Sequence, residues 1–322
     1  MTHPVSELSP DFIQRNPAPK VTVCVVTYNQ KDFIGQCLQS LVDQETDFPF
    51  EILVGDDCST DGTLEIVEDF VRKYPDLVFC FKCLKNKGPY GNYRFVHAAA
   101  RGKFVAHVDG DDYALPGKLR QQVVFMEENT SCVLSGHDVY FLGVDGVFSE
   151  VKRIVPAVSD VCALVAFGNF LCHSSTMYRR EACLSGDIEF ESIDFQMHVD
   201  RVRGGRIGYI SNFLGVYRVN PNGMVGALYL KSTAMYYKNV AAIRQAGKYC
   251  ASGSLAERAI FVLALRWVRN LVVAKRDDLA GEIVASESVQ RLVLWRKLVL
   301  RGVFVFRPVL RGMTNIKRAW VG

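Results

Sequence analysis

Residues 103–112 read KFVAHVDGDD. Positions 103–108 have the continuous apolar character of a strand covered on both faces, and the acidic turn Asp109-Gly110-Asp111-Asp112 follows without a spacer. Acids at i and i+2 at a strand end point the same way, which is how two carboxylates converge on one hard cation. The preceding hundred residues repeat the strand pattern. Val21–Thr27 (VTVCVVT), residues 51–55 (EILVG) and residues 77–83 read as strands. Residues 31–44, 63–74 and 92–100 carry apolar positions at helical spacing. Strand and helix alternate through short connections, which predicts βαβ units and an α/β fold with a mostly parallel, Rossmann-like sheet flanked by helices.

In such sheets ligands bind beyond the carboxyl ends of the strands. The segments there are Tyr28-Asn29, Asp56-Asp57, residues 86–93 and residues 109–112, all polar and two of them acidic. Asp56, directly after a strand, is placed to accept hydrogen bonds from a base or a ribose hydroxyl. Ser59, Thr60 and Asp61 read first as capping residues of the helix that follows, and Asp57 has the same structural alternative. Neither G-x-G-x-x-G nor G-x-x-x-x-G-K-[ST] follows the first strand; Thr27-Tyr28-Asn29-Gln30 stands there. A nucleotide held without a glycine-rich loop needs its phosphates neutralised another way, which a carboxylate-bound metal can do. A sugar nucleotidyltransferase would need a glycine-rich loop with a basic residue at this place, and the segment lacks one.

The 322 residues, 49% hydrophobic and 22% charged, have the composition of a globular chain and exclude a disordered chain, a collagen-like fibre or a disulfide-stapled miniprotein. The net charge of +4 is too small to point to nucleic acid, and no nucleic-acid motif is present. The charge is uneven: residues 291–322 hold eight Lys or Arg and no acid, leaving the rest mildly acidic. Of ten cysteines, Cys24, Cys80, Cys132 and Cys162 lie in apolar runs, as reduced cysteines do, which favours a reducing, cytoplasmic compartment. Cys80 and Cys83 have CxxC spacing, but on a strand they face opposite ways. The N-terminus has no signal-peptide pattern, and no apolar run reaches the ~18 residues of a spanning helix.

VTVCVVTYN (21–29), EILVGDDCSTDGT (51–63), NKGPYGN (86–92) and FVAHVDGDDYALP (104–116) occur in an order and spacing that resembles the nucleotide-sugar domain of glycosyltransferase family 2, inverting enzymes with the GT-A fold. The resemblance covers about residues 21–225. It implies that Thr27, Tyr28 and Asp56 hold the base, with Asn29, Asp57 and Asn86 in the same nucleotide-sugar site. It also implies that Asp109 meets the ribose and diphosphate, and that Asp109 and Asp111 bind Mn²⁺ or Mg²⁺. In the looser acceptor half, Ile193-Asp194-Phe195-Gln196 makes Asp194 the catalytic base, and Tyr217-Arg218-Val219-Asn220 directs Arg218 to the diphosphate. The alternative for Asp194 is an ion pair with Arg201 or Arg203. Asn220 stands where many relatives have a metal-binding histidine, and Gly91 where an arginine often precedes the asparagine; Lys87 or Arg94 are the candidates for that missing charge. His173 falls where relatives line the acceptor pocket. His97 and His107 read as packing residues, and Trp267 and Trp295 as core or interface.

The expected organisation is an extended leader over 1–20, a GT-A domain over 21–225 (nucleotide-sugar half 21–112, acceptor half 113–225) and a helical, basic C-terminal region over 226–322. The expected activity is metal-dependent, inverting transfer from a nucleoside-diphosphate sugar to a saccharide or lipid-linked acceptor in surface polysaccharide or glycolipid assembly. The alternative is a noncatalytic nucleotide-sugar-binding or scaffold protein of the same fold, motivated by Asn220. Residues 291–322, where apolar and basic side chains mingle, are expected to lie on an anionic membrane surface, peripheral to its cytoplasmic face.

Overall fold

The structure, a computed structural model, describes residues 18–182, 194–220 and 232–292, together with 296, 299, 300 and 302. Four parallel strands open it: β1 (Val21–Thr27), β2 (Phe50–Asp56), β3 (Val78–Lys82) and β4 (Phe104–Asp109). Between them run α1 (Lys31–Val42), α2 (Thr63–Lys73) and α3 (Gly88–Ala98). Val23, Val25, Ile52, Val54 and Ala106 face Ile34, Leu38, Leu41 and Val67 of α1 and α2 in one buried cluster. On the opposite side the Cys24 thiol reaches the Val96 carbonyl of α3. Both faces are therefore covered, which is why these strands read as unbroken apolar runs rather than alternating ones. Helix α3 begins four residues before the expected position 92, because Pro89 occupies its first turn, where a preset φ helps and a missing N–H costs nothing.

Beyond β4 the strands are β5 (Tyr113–Ala114), β6 (Cys132–Leu142), β7 (Phe148–Glu150), β8 (Val158–Ser159), β9 (Met177–Arg179) and β10 (Arg206–Arg218). Their helices are α4 (Lys118–Glu128), α5 (Val161–Phe167) and α6 (Asp194–Val202). The sheet runs β3-β2-β1-β4-β9-β6-β10-β5, with β7 beside β6 and β8 beside β10. Strand β9 is antiparallel to both β4 and β6 and joins the parallel first half to the second. The chain reaches β9 through a short 3₁₀ turn, His173–Ser175, which sets Ser174 against the end of β4.

The described chain forms two compact units. The first gathers residues up to Asp160, Leu171–Ser192 and Asp200–Val219, and so contains the whole sheet. The second gathers Val161–Phe170, Ile193–Val199 and the chain from Asn220 on. Its helices include α5, the start of α6, α7 (Ala234–Gly247), α8 (Gly253–Val273), α9 (Asp277–Ala285) and α10 (Glu287–Gln290). Trp267 is buried there edge-on to Tyr236, as expected of a core residue. Among the described residues no helix is long and apolar enough to cross a membrane. The leader up to residue 17 and nearly all of the basic tail, Trp295 included, lie outside the described residues.

One cysteine assignment is corrected. Cys162 is not a reduced packing residue: it forms a disulfide with Cys250, 88 positions away, inside the second unit. Local hydropathy carries no information about such a distant pairing, which exists because α5 packs beside the end of α7. Cys80, in β3, and Cys83, just past its end at Lys82, are free thiols.

Gly55, near the end of β2, is a point of close approach. A β-carbon there would lie 2.4 Å from Oδ1 of buried Asn92, whose Nδ2 donates to the Gly55 carbonyl. Gly55→Ala is therefore expected to destabilise the fold by about 1–3 kcal/mol, read as a lower urea midpoint with unchanged slope; an unaltered midpoint would contradict this packing.

Candidate active site

Three loops at the carboxyl edge of the sheet are laced together by side chains. Asn29, held at φ 51°, accepts from the Thr60 N–H through Oδ1 (2.8 Å), while its own N–H donates to Ser59 Oγ. The Lys31 N–H reaches Asp61 Oδ2, and Asp61 Oδ1 accepts from the Thr63 N–H that opens α2. Asp57 Oδ1 accepts from the Lys87 N–H at 2.7 Å, so Asp57 steadies the start of α3 rather than α2. Asn86 donates to the Asp57 carbonyl and accepts from the Gly88 N–H. The Thr27 hydroxyl is spent on Gln30 Oε1 (2.8 Å), leaving Tyr28, half exposed, as the aromatic side chain of this loop.

Asp56 is fully buried, yet only Oδ1 is paired, with the Ser59 N–H at 3.0 Å; Oδ2 has no hydrogen-bond partner among the described residues. Leaving a buried acceptor unpaired is costly, on the order of 1–3 kcal/mol. In the parallel register Asp56 stands opposite Thr27 on one side of β1, and Asp109 opposite Val26 on the other. The two aspartates are thus two strand spacings, roughly 10 Å, apart along one rim.

Asp109, Asp111 and Asp112 crowd the end of β4. Gly110 lets this turn close on Thr27, since a β-carbon there would meet the Thr27 side chain at 2.9 Å. Ser174 Oγ accepts from the Asp109 N–H at 3.0 Å, lies 3.1 Å from Asp109 Oδ2 and bonds Asp112 Oδ2. A hydroxyl has one proton and can serve both carboxylates only if one of them is protonated. Asp112 fits that role: burial, then the neighbouring Asp109 and Asp111 charges, push its pKa well above the usual carboxylate range. Its O–H donates to Ser174, and Ser174 donates to Asp109. For Asp109, burial acts upward, but His107, Ser174 and Lys118 outweigh it and leave the carboxyl below its ordinary value. Lys118 is buried beneath, donates to the Ser174 carbonyl, and is lowered by burial to about 8.

His107 and His97 are buried among rings, as packing residues are, and are also polar partners of this cluster. His107 Nε2 lies 3.1 Å from Asp109 Oδ1, His97 Nε2 3.0 Å from His107 Nδ1, and Tyr178 Oη 2.7 Å from His97 Nδ1. Burial, then His107 and Arg201, hold His97 well below the ordinary imidazole value, hence neutral. His173 joins them, its ring 4.0 Å from that of His107. One signal was available: His107 and Asp109 at i and i+2 of one strand share a face. Ser174 and Lys118 offered none, because distant chain segments bring them in.

The Arg218 N–H donates to Asp112 Oδ1 at 2.8 Å, and its guanidinium bonds Gln36 between the Phe33 and Tyr113 rings. Lys87 Nζ sits over the Phe95 ring. Asp194 is the first residue of α6, half-buried, in the second unit. The guanidinium of Arg201 bonds Tyr93 Oη, and that of Arg203 pairs with Asp200. Among the described residues no three His, Cys, Asp or Glu side chains form a metal cage. A hard cation bound by one or two carboxylates that completes its shell with phosphate oxygens and water needs no such cage, so the Asp109 and Asp111 donors fit one.

Residues 22–185 match the family described as Glycosyl transferase family 2, and the chain belongs to that family. Over 214 residues it is 31% identical to an uncharacterised protein of Mycobacterium tuberculosis, covering 65% of this chain and 61% of that one. It is 42% identical over 175 residues to the poly(ribitol-phosphate) beta-N-acetylglucosaminyltransferase TarS of Staphylococcus aureus, covering 53% of this chain and 29% of TarS. The chain thus spans less than two thirds of the curated relatives it matches. Among solved structures, residues 1–349 of S. aureus TarS with UDP-GlcNAc superpose with a TM-score of 0.68 at 21% identity, covering 92% of this chain and 91% of that one. The mannosyltransferase PcManGT of Pyrobaculum calidifontis, in complex with GDP-Man and Mn²⁺, superposes with a TM-score of 0.56 at 17% identity over 92% and 88%. The fold is accordingly GT-A.

Asp112→Asn keeps both hydrogen bonds, since its amide can donate to Ser174 and accept from Arg218. In EDTA it is expected to change stability by less than about 1 kcal/mol, whereas Ser174→Ala should cost about 1–3 kcal/mol. The native state also holds a proton that the unfolded chain releases near pH 3.9. Wild-type stability therefore declines as pH rises from there toward the elevated native pKa, and Asp112→Asn flattens that decline in urea melts run across pH.

Proposed function

We propose that this chain transfers a glycosyl unit from a nucleoside-diphosphate sugar to a hydroxyl of a saccharide or lipid-linked acceptor, with inversion and with help from Mn²⁺ or Mg²⁺. The observation that carries this reading is the rim itself. A buried carboxylate oxygen at Asp56 lacks a donor, and roughly 10 Å away a carboxylate cluster stands ready for a cation. A nucleoside diphosphate spans such a distance, its base N–H meeting Asp56 and its phosphates the Asp109–Asp111 end. Tyr28 is placed to cover the base; Asn29, Asp57 and Asn86 hold the loops around it.

Asp109 and Asp111 would hold the cation, which supplies charge stabilisation for the departing diphosphate. Arg218 adds a fixed positive charge at the same end. Asp194 takes the acceptor hydroxyl proton as that oxygen attacks the anomeric carbon, the diphosphate leaving from the opposite face. One base with no protein nucleophile gives inversion. His173 is assigned to the acceptor side. The poly(ribitol-phosphate) specificity in the name of TarS supports a cell-wall or surface polymer as acceptor. For the basic residues 291–322 we keep an anionic membrane surface, at its cytoplasmic face, as the proposed partner.

Isothermal titration with UDP and GDP in Mn²⁺, beside a donor-hydrolysis assay, tests the reading. Asp109→Asn and Asp111→Asn are each expected to weaken Mn²⁺-dependent nucleotide binding at least about tenfold, and Asp56→Ala to weaken binding with or without metal. Asp194→Asn should lower turnover by about 10²–10⁴ while nucleotide binding stays intact. Tight nucleotide binding with no turnover, unchanged by Asp194→Asn, would instead favour the noncatalytic alternative.

A further inference from the structure

Tyr178, His97, His107 and Asp109 form an unbroken line of hydrogen bonds, all within the first unit. A carboxylate only accepts, so His107 Nε2 carries the proton toward Asp109. His107 Nδ1 faces His97 Nε2, and His97 Nδ1 faces the Tyr178 hydroxyl.

The line is enclosed by buried side chains. Tyr178 and His107 are fully buried and His97 nearly so. The Arg201 guanidinium already lies 3.9 Å over the Tyr178 ring and bonds Tyr93 Oη. Tyr93 stacks on His97 at 3.8 Å, and the His173 ring lies 4.0 Å from that of His107, so the line is walled by rings.

We infer that Tyr178, His97 and His107 are positioning residues: a hydrogen-bonded line that fixes the rotation of the Asp109 carboxylate so that its remaining lone pairs face the cation and diphosphate. The inference rests on the nucleotide-sugar reading of Asp109 and adds three residues to it. Ser174 holds the other carboxylate oxygen, so the two contacts together leave Asp109 no freedom to turn. Holding the carboxylate before ligand arrives removes an ordering cost from binding.

The test uses the full chain, with Mn²⁺ and UDP or GDP as probes. His107→Phe keeps a ring but has no nitrogen, and is expected to weaken Mn²⁺ affinity of the nucleotide complex about tenfold or more, read by titration calorimetry or Mn²⁺ EPR. His107→Gln, whose amide N–H stands near the Nε2 position, should restore most of it. Tyr178→Phe, which removes only the distal hydroxyl, should weaken it about threefold. In ¹⁵N-histidine-labelled wild type, His107 should carry a proton on Nε2. A His107 Nε2 without a proton, or equal Mn²⁺ affinity in wild type and His107→Phe, would overturn the line. If His107→Phe does not fold, the wild-type His107 Nε2 proton and Tyr178→Phe decide. A wild-type chain that binds neither Mn²⁺–UDP nor Mn²⁺–GDP would instead overturn the nucleotide-sugar reading itself.

Discussion

Three aspartates within four residues at the end of a buried strand repel one another, and the fold is arranged around making that crowding tolerable. Placing like charges close together in a poorly solvated position is prohibitive unless some are neutralised and the rest are hydrogen-bonded. Here Asp112 is held protonated, Ser174 shares its single proton, His107 engages Asp109, and Lys118 lies buried below. These partners come from β4 itself and from a 3₁₀ turn and a helix that follow it. The antiparallel strand β9 has a matching role in the topology: the chain must return beside β4 to deliver Ser174 and then Tyr178.

The other end of the rim works by a different balance. Asp56 is buried and half-paired, whereas the side chains of Asn29, Asp57, Asp61 and Asn86 in the neighbouring loops all have partners. The loops after β1, β2 and β3 are tied to each other by Asn29, Asp57, Asp61 and Asn86, which spend their side chains on backbone groups. Rigid loops around one unsatisfied oxygen concentrate the cost of desolvation at a single atom. A ligand donor at that atom recovers it, while a ligand lacking the donor does not.

Most of the first half of this architecture could be read from the chain because it is locally encoded. Strands covered on both faces announce themselves by unbroken β-branched runs, and Val21–Thr27 falls at the expected position. The acidic turn was visible because it abuts such a run. Asp194 and Arg218 were singled out only through family resemblance, since nothing local marks them. What escaped is nonlocal. Ser174 sits in a polar segment that looks like any loop, Lys118 looks like an exposed helix residue until burial is known, and Cys162 meets Cys250 across 88 positions. The two histidines are buried as packing residues are, but their polar partners escaped as well. A histidine in an apolar strand resembles a satisfied core residue, and only the tertiary line through Tyr178 reveals what satisfies it.

The return of the chain to β4 also limits how this protein can be divided. The first unit is assembled from three separate stretches of sequence, interrupted twice by segments of the second. A fragment ending after the acidic turn would carry Asp109 with His107 but without Ser174, Tyr178 or Arg218. Recombination between relatives that exchanges only the amino-terminal third would therefore separate Asp109 and Asp112 from Ser174, Lys118 and Arg218, so the two halves of the sheet work as a matched set.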